Sequence, residues 1–377
     1  MHLSSCACDS PYFLDLSNPT SFVSSLAFLP RSIEMVAKTK PWPWLVLSFF
    51  LWAANCIQHC VHGESKVPCL FIFGDSLSDN GNNNLPTFAK SNFLPYGIDF
   101  PQGPTGRFTN GQTAIDIIAK LLEFENFIPP YANTSGSDIL KGVNYASGAA
   151  GIRPESGKHI GANIHLGAQL INHRFIYSKI ANKLGGYEKA KQYLKKCFFT
   201  KQAASIPETY AKILVDQYSQ YIQEMHDELG ARKFVLVGLA AIGCTPNAIS
   251  TYGTNGSNCV EEISDAVSIF NDKLISLVDQ FNNKFSADSK FIFARIVDDF
   301  AFLGFTIVNA SCCPTLMNAL CIPNEMPCQN STEYMFWDGY HPTEAAHRIF
   351  AIRWYNGSSS NPSFTYPMDI MHLLHSL

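Results

Sequence analysis

A serine at the end of a buried apolar run is the first place in this sequence where chemistry can be expected. Val67–Gly74 (VPCLFIFG) is almost uninterruptedly apolar, as a strand covered on both faces must be. It runs straight into Asp75-Ser76-Leu77-Ser78-Asp79-Asn80-Gly81-Asn82. In parallel α/β sheets, ligands bind beyond the carboxyl ends of the strands, so Ser76 is placed to project its hydroxyl into that crevice. Asp75, Asp79 and the asparagines can bond the backbone of the turn and hold it. An ordinary strand-to-loop turn has the same composition, so the serine needs support from elsewhere in the chain.

A serine hydroxyl is a weak nucleophile at neutral pH. It needs a general base, and the base needs an acid to orient it. Of the 11 histidines, His341 stands out. In Trp337-Asp338-Gly339-Tyr340-His341-Pro342 a carboxylate stands three residues before an imidazole, in a glycine-containing turn. That spacing lets Asp338 hold Nδ1–H while Nε2 faces a nucleophile. His159, His165, His173 and His226 are read as lacking such a partner, and the His372–His375 tail is expected to fray. The serine-hydrolase elbow G-x-S-x-G, the zinc motif H-E-x-x-H, a P-loop and the dinucleotide G-x-G-x-x-G are all missing. Gly148-Ala149-Ala150-Gly151 is a glycine-rich turn without the dinucleotide pattern.

The elements that must position these residues alternate in type. Lys233–Leu239 and Lys290–Val297 read as further buried strands, and Gly142–Ala146 as a weaker one. Ile206–Leu229 and Val260–Phe285 carry apolar stripes at helical spacing with charges opposite, and Thr343–Tyr355 follows His341 as a helix. Strand–helix alternation predicts a parallel sheet covered by helices on both sides. With no long Pro/Gly/Ser linker, residues 64–377 read as one domain. Of the 377 residues 46% are hydrophobic and 15% charged, which excludes a disordered chain. A net charge of −4 leaves no basic footprint for nucleic acid.

Trp44–Ile57 is a 14-residue apolar run, too short to span a bilayer. Lys38 and Lys40 precede it and Val61-His62-Gly63 follows, the layout of a secretory signal peptide over residues 35–63. Met35 is then the working start, and residues 1–34 a non-native extension. Two further patterns fit secretion. Sequons lie at Asn133, Asn255, Asn309, Asn330 and Asn356. Eight cysteines follow Gly63, four of them crowded into residues 312–328. A disulfide-stapled loop is expected there, with the pairing open.

Phe73–Asn84 (FGDSLSDNGNNN), Pro104–Gln112 (PTGRFTNGQ), Gly142–Ile152 (GVNYASGAAGI), Lys233–Pro246 (KFVLVGLAAIGCTP) and Phe336–Ala345 (FWDGYHPTEA) resemble the plant GDSL esterase/lipase family of SGNH hydrolases. The similarity runs from about Val67 to about Tyr355. It implies a flavodoxin-like three-layer α/β/α sandwich with a parallel sheet, Ser76 as nucleophile, His341 as general base and Asp338 as its orienter. It also implies an oxyanion hole from the backbone N–H groups of Ser76 and Gly148 and an Asn side chain of a G-x-N-D segment. The implied reaction is hydrolysis of a small carboxylic ester or acyl lipid through an acyl-enzyme, with no metal or cofactor. The mature chain is expected to be a monomer without a membrane span, secreted to the cell wall or apoplast.

One part of that pattern is absent. No G-x-N-D occurs in the chain. The interval where it belongs reads Cys197-Phe198-Phe199-Thr200-Lys201-Gln202, in which the charged Lys201 is expected to cut a strand short. One central strand is therefore expected to be missing, through a skipped exon or through divergence. Two alternatives to the hydrolase follow: an acyltransferase using the same site, or a catalytically impaired secreted protein that binds an ester or glycan.

Overall fold

The computed structural model describes residues 65–376 apart from 85–86, 135–137, 203–207, 298–299, 301, 317–319 and 358–362. The expected extension 1–34 and signal segment 35–63 lie outside the described residues. The strands are β1 (Leu70–Phe73), β2 (Gly142–Asn144), β3 (Phe198–Gln202), β4 (Lys233–Val237), β5 (Lys290–Ala294), β6 (Ile307–Ser311), β7 (Tyr334–Phe336) and β8 (Thr365–Tyr366). Six of them form one sheet in the order β2-β1-β3-β4-β5-β8. All its neighbours run parallel except β8, which pairs antiparallel with β5. A separate pair, β6 and β7, is also parallel.

The helices are α1 (Ala114–Leu121), α2 (Leu166–Leu184), α3 (Tyr187–Leu194), α4 (Glu208–Asp227), α5 (Pro246–Tyr252), α6 (Glu261–Lys284), α7 (Glu344–Asn356) and α8 (Ile370–Leu374). Side chains alternate across a strand, and the core divides accordingly. Phe71, Phe73, Phe199 and Leu236 pack with α2, α4 and α6. Leu70, Ile72, Phe198 and Val237 pack with α1, α7 and α8. The result is the three-layer α/β/α arrangement expected of a sheet buried on both faces.

The expected loss of a strand is corrected. β3 is present at the centre of the sheet, paired with β1 from Leu70↔Phe198 to Phe73↔Lys201 and with β4 from Phe198↔Lys233 to Gln202↔Val237. Lys201 does not end it, because its side chain folds over aromatic rings. Nζ lies 4.1 Å from the centre of the Tyr218 ring and 5.0 Å from that of Tyr221. The lysine is fully buried, and its amine has no hydrogen-bond partner among the described residues. Burial holds it well below its ordinary pKa. The family's G-x-N-D is still absent, and the residues that follow β3, 203–207, lie outside the described chain.

The tail containing His372 does not fray. Asp369 caps α8 by accepting from His372 N at 3.0 Å, and Ile370 and Leu373 are buried. The cysteines pair as Cys69–Cys197, Cys244–Cys259, Cys312–Cys328 and Cys313–Cys321. The last two staple the loop that was expected to need them.

Candidate active site

β1 delivers Ser76 two residues beyond Gly74. The turn is held by its own polar groups. Asp75 C=O accepts from Ser78 N and Asp79 N, and Asp75 Oδ1 from Leu77 N at 3.0 Å. The Gln169 side chain of α2 brackets Gly74, accepting from its N–H at 3.0 Å and donating to its C=O at 2.8 Å. Asp79 is wholly buried. Its Oδ1 accepts from Gly81 N and Asn82 N, and its Oδ2 from Gly148 N, each at 2.8 Å. Burial outweighs these bonds, and both Asp75 and Asp79 are pushed up to about 6.

The imidazole of His341 arrives from the opposite end of the chain. Thr343 N donates to Met335 O at 3.0 Å, and the Thr343 hydroxyl accepts from Ala346 N as the N-cap of α7. These bonds fix the turn between β7 and α7. His341 Nε2 lies 2.8 Å from Ser76 Oγ, and Nδ1 lies 2.7 Å from Asp338 Oδ2. Asp338 is wholly buried, and its Oδ1 also accepts from Tyr340 N and His341 N. Phe108 covers the imidazole, with ring centres 4.8 Å apart. The three residues singled out from type and spacing therefore meet in one continuous series of hydrogen bonds.

Gly148 lies in the neighbouring turn after β2, but its N–H is occupied by Asp79. Its lack of a side chain has a packing reason: a Cβ there would lie 2.7 Å from the Phe108 ring. The next residue, Ala149, has φ +59°, a left-handed conformation that costs a non-glycine residue about 1 kcal/mol or more. Its backbone N–H has no hydrogen-bond partner among the described residues, and neither has that of Ser76.

Two other described histidines have partners of a different kind. His173 is buried against Phe71 and Phe73, with Nδ1 3.0 Å from Tyr145 OH, and burial lowers it to about 3. His226 does have carboxylate partners, Asp227 at 2.6 Å and Asp288 at 3.4 Å, but no nucleophile. Sequence reasoning missed Tyr96, whose hydroxyl donates to Asp338 Oδ2 at 2.5 Å. The two residues are 242 positions apart, and no spacing rule links them. Among the described residues, no group of three or more His, Cys, Asp or Glu side chains is gathered where a metal could sit.

A buried acid, an imidazole and a serine stand in series at the carboxyl edge of a doubly wound sheet, an arrangement able to activate the serine hydroxyl within a three-layer α/β protein. Its family follows from comparison with known proteins. The GDSL-like lipase/acylhydrolase domain profile matches residues 70–354. GDSL esterase/lipase At1g29670 of Arabidopsis thaliana is 44% identical over 340 residues, covering 82% of this chain and 92% of its own length. At5g45670, a GDSL esterase/lipase of the same plant, is 44% identical over 358 residues, covering 87% and 98%. The chain belongs to the GDSL-like lipase/acylhydrolase family of carboxylic ester hydrolases.

Proposed function

We propose that the protein is a secreted serine esterase that cleaves small carboxylic esters or acyl lipids through an acyl-enzyme on Ser76. The observation that carries this reading is the unbroken series from Asp338 Oδ2 through His341 to Ser76 Oγ, at 2.7 and 2.8 Å. His341 takes the hydroxyl proton as Ser76 Oγ attacks the ester carbonyl, and Asp338 stabilises the imidazolium that forms. The tetrahedral intermediate collapses, and His341 passes that proton to the departing alcohol. Water, activated by the same imidazole, then releases the acid and frees Ser76.

The oxyanion needs preorganised donors. The unpartnered amides of Ser76 and Ala149 fit that role, while Gly148 braces their turn through Asp79. The reaction needs no cofactor, and the chain acts as a monomer. Secretion to the cell wall or apoplast is supported by four disulfides, which persist in oxidising compartments. It is also supported by the exposure of all five sequon asparagines. Among the described residues, no helix is long and apolar enough to cross a membrane.

The absent G-x-N-D favours a second reading, an impaired enzyme that binds esters but turns them over slowly. Loss of one oxyanion donor costs about 10²–10³ in kcat. Purified wild type and Ser76→Ala, tested with a p-nitrophenyl ester and a fluorophosphonate probe, separate the readings. The esterase is labelled at Ser76 and turns over, and Ser76→Ala does neither. Labelling without turnover selects the impaired protein. Undiminished activity in Ser76→Ala overturns both.

A further inference from the structure

Asp338 is held by more than its own turn. Tyr96 comes from a loop far from it in sequence and is wholly buried. Its hydroxyl donates to Asp338 Oδ2, the same oxygen that lies 2.7 Å from His341 Nδ1. It also accepts from Cys321 N at 3.1 Å. Cys321 is bonded to Cys313, whose N–H donates to Trp337 O next to Asp338. Cys312 N donates to Phe336 O, and Cys312 is bonded to Cys328. A small separate core of Tyr96, Phe108, Trp337, Leu320 and the cysteines encloses the acid. The phenol is thus one link in a closed circuit between the stapled loop and the carboxylate.

We infer that Tyr96 is a positioning residue for the Asp338–His341 pair, fixing the carboxylate to the disulfide-stapled loop at Cys321. The inference rests on the triad reading given above. Its chemistry is specific. A neutral donor on Oδ2 shares the carboxylate's charge with the imidazole, so it moderates how strongly Asp338 holds the imidazolium as well as where the acid sits. Burial and the adjacent carboxylate push the Tyr96 hydroxyl well above its ordinary pKa, so it remains a donor throughout the working pH range. The other titratable groups facing His341 are Tyr340 in its own turn, Asp75 from the β1 turn and His347 from α7. A change at Tyr96 alters none of them.

The test uses the full secreted chain and a short-chain p-nitrophenyl ester, assayed from pH 5 to 9. Tyr96→Phe should lower kcat roughly tenfold with KM little changed, the loss expected for a hydrogen bond to a charged group. The acid limb of kcat/KM should move to higher pH. In an Asp338→Asn background the same substitution should cost less than about twofold, because the two residues act through one contact. Equal losses in both backgrounds with an unmoved limb would make Tyr96 a packing residue and overturn the inference. 3-Fluorotyrosine placed at position 96 preserves the shape should Tyr96→Phe misfold. It is a stronger donor and should move the limb to lower pH, and an unmoved limb again overturns the inference. Retained activity in Ser76→Ala defeats the triad reading itself, whereas an intact triad with an unmoved limb defeats only the role of Tyr96.

Discussion

The turn that carries His341 and the end of β3 lie at the same edge of the sheet, yet the acid of the one is fully partnered and the polar side chains that end the other are not. Around Asp338 both carboxylate oxygens are bonded, the backbone of the turn is tied to β7 and α7, and two disulfides close the loop behind it. At the end of β3, the Thr200 hydroxyl and the Lys201 amine are buried with no hydrogen-bond partner among the described residues. Unmet buried polar groups cost about 1–3 kcal/mol each. The sheet tolerates a poor terminus in its middle because β3 is paired on both sides. The groups proposed to react have no such redundancy, since a small misplacement of a catalytic group costs orders of magnitude in rate.

The sharpest way to break that contrast is Asp338→Asn. An amide cannot hold the imidazole in the productive tautomer, and kcat for a p-nitrophenyl ester should fall about 10⁴-fold. A loss under tenfold would mean the ordered side is not needed. Next comes Asp79→Asn, which sets an NH₂ group against at least one of the three backbone N–H donors. A kcat loss of about 10² is expected, with KM nearly constant, if Asp79 braces the oxyanion turn.

Lys201→Met tests the other side. It removes a buried amine while keeping an unbranched chain, and should stabilise the fold by about 1–3 kcal/mol, read as a raised Tm. It should also flatten the pH dependence. Lys201 has its pKa lowered in the folded chain from 10.5. Its contribution is therefore whole above 10.5 and lost as pH falls through the folded value, so wild type should be more stable at pH 9 than at pH 7 by an increment the variant lacks.

Smaller effects separate carboxylates from histidines. Asp75 and Asp79 lie at about 6 in the folded chain against 3.8 ordinarily. Their contribution is whole below 3.8 and lost as pH rises through 6. His347, lowered to about 3 from 6.5 by burial, acts the other way, its contribution being whole above 6.5 and lost as pH falls toward 3. The change in Tm from pH 4 to pH 7 should therefore be more positive in Asp79→Asn than in wild type, and less positive in His347→Asn. The smallest effect belongs to the exposed Arg348–Glu344 pair on α7, where Arg348→Ala should cost under about 0.5 kcal/mol.

The sequence showed most of this where local rules govern. Val67–Gly74 announces β1 because both faces are buried, and the three-residue interval from Asp338 to His341 is short enough for one turn to enforce. It failed where a residue's environment comes from far along the chain. A lysine inside an apolar run reads as the end of a strand. Here it continues one, because Tyr218 and Tyr221, a helix later, provide the surface on which its stem and amine rest. Gly148 attracts notice as a glycine after a strand, but only the folded chain shows its N–H spent on Asp79 and Phe108 pressed against it. Tyr96 carries no local mark at all.

The bond between Cys69 and Cys197 sits one residue before the paired Leu70 and Phe198, at the end of β1 away from Ser76. A strand that slips by one residue turns every side chain to the opposite face. In β1 such a slip would exchange the phenylalanines of one core for the leucine and isoleucine of the other, and would raise or lower Ser76 by about 3.3 Å. The covalent link rules out that error between β1 and β3. It acts as a length standard: the count of residues from the cross-link to Ser76 is fixed, so the register it sets is also the register of the hydroxyl that meets His341.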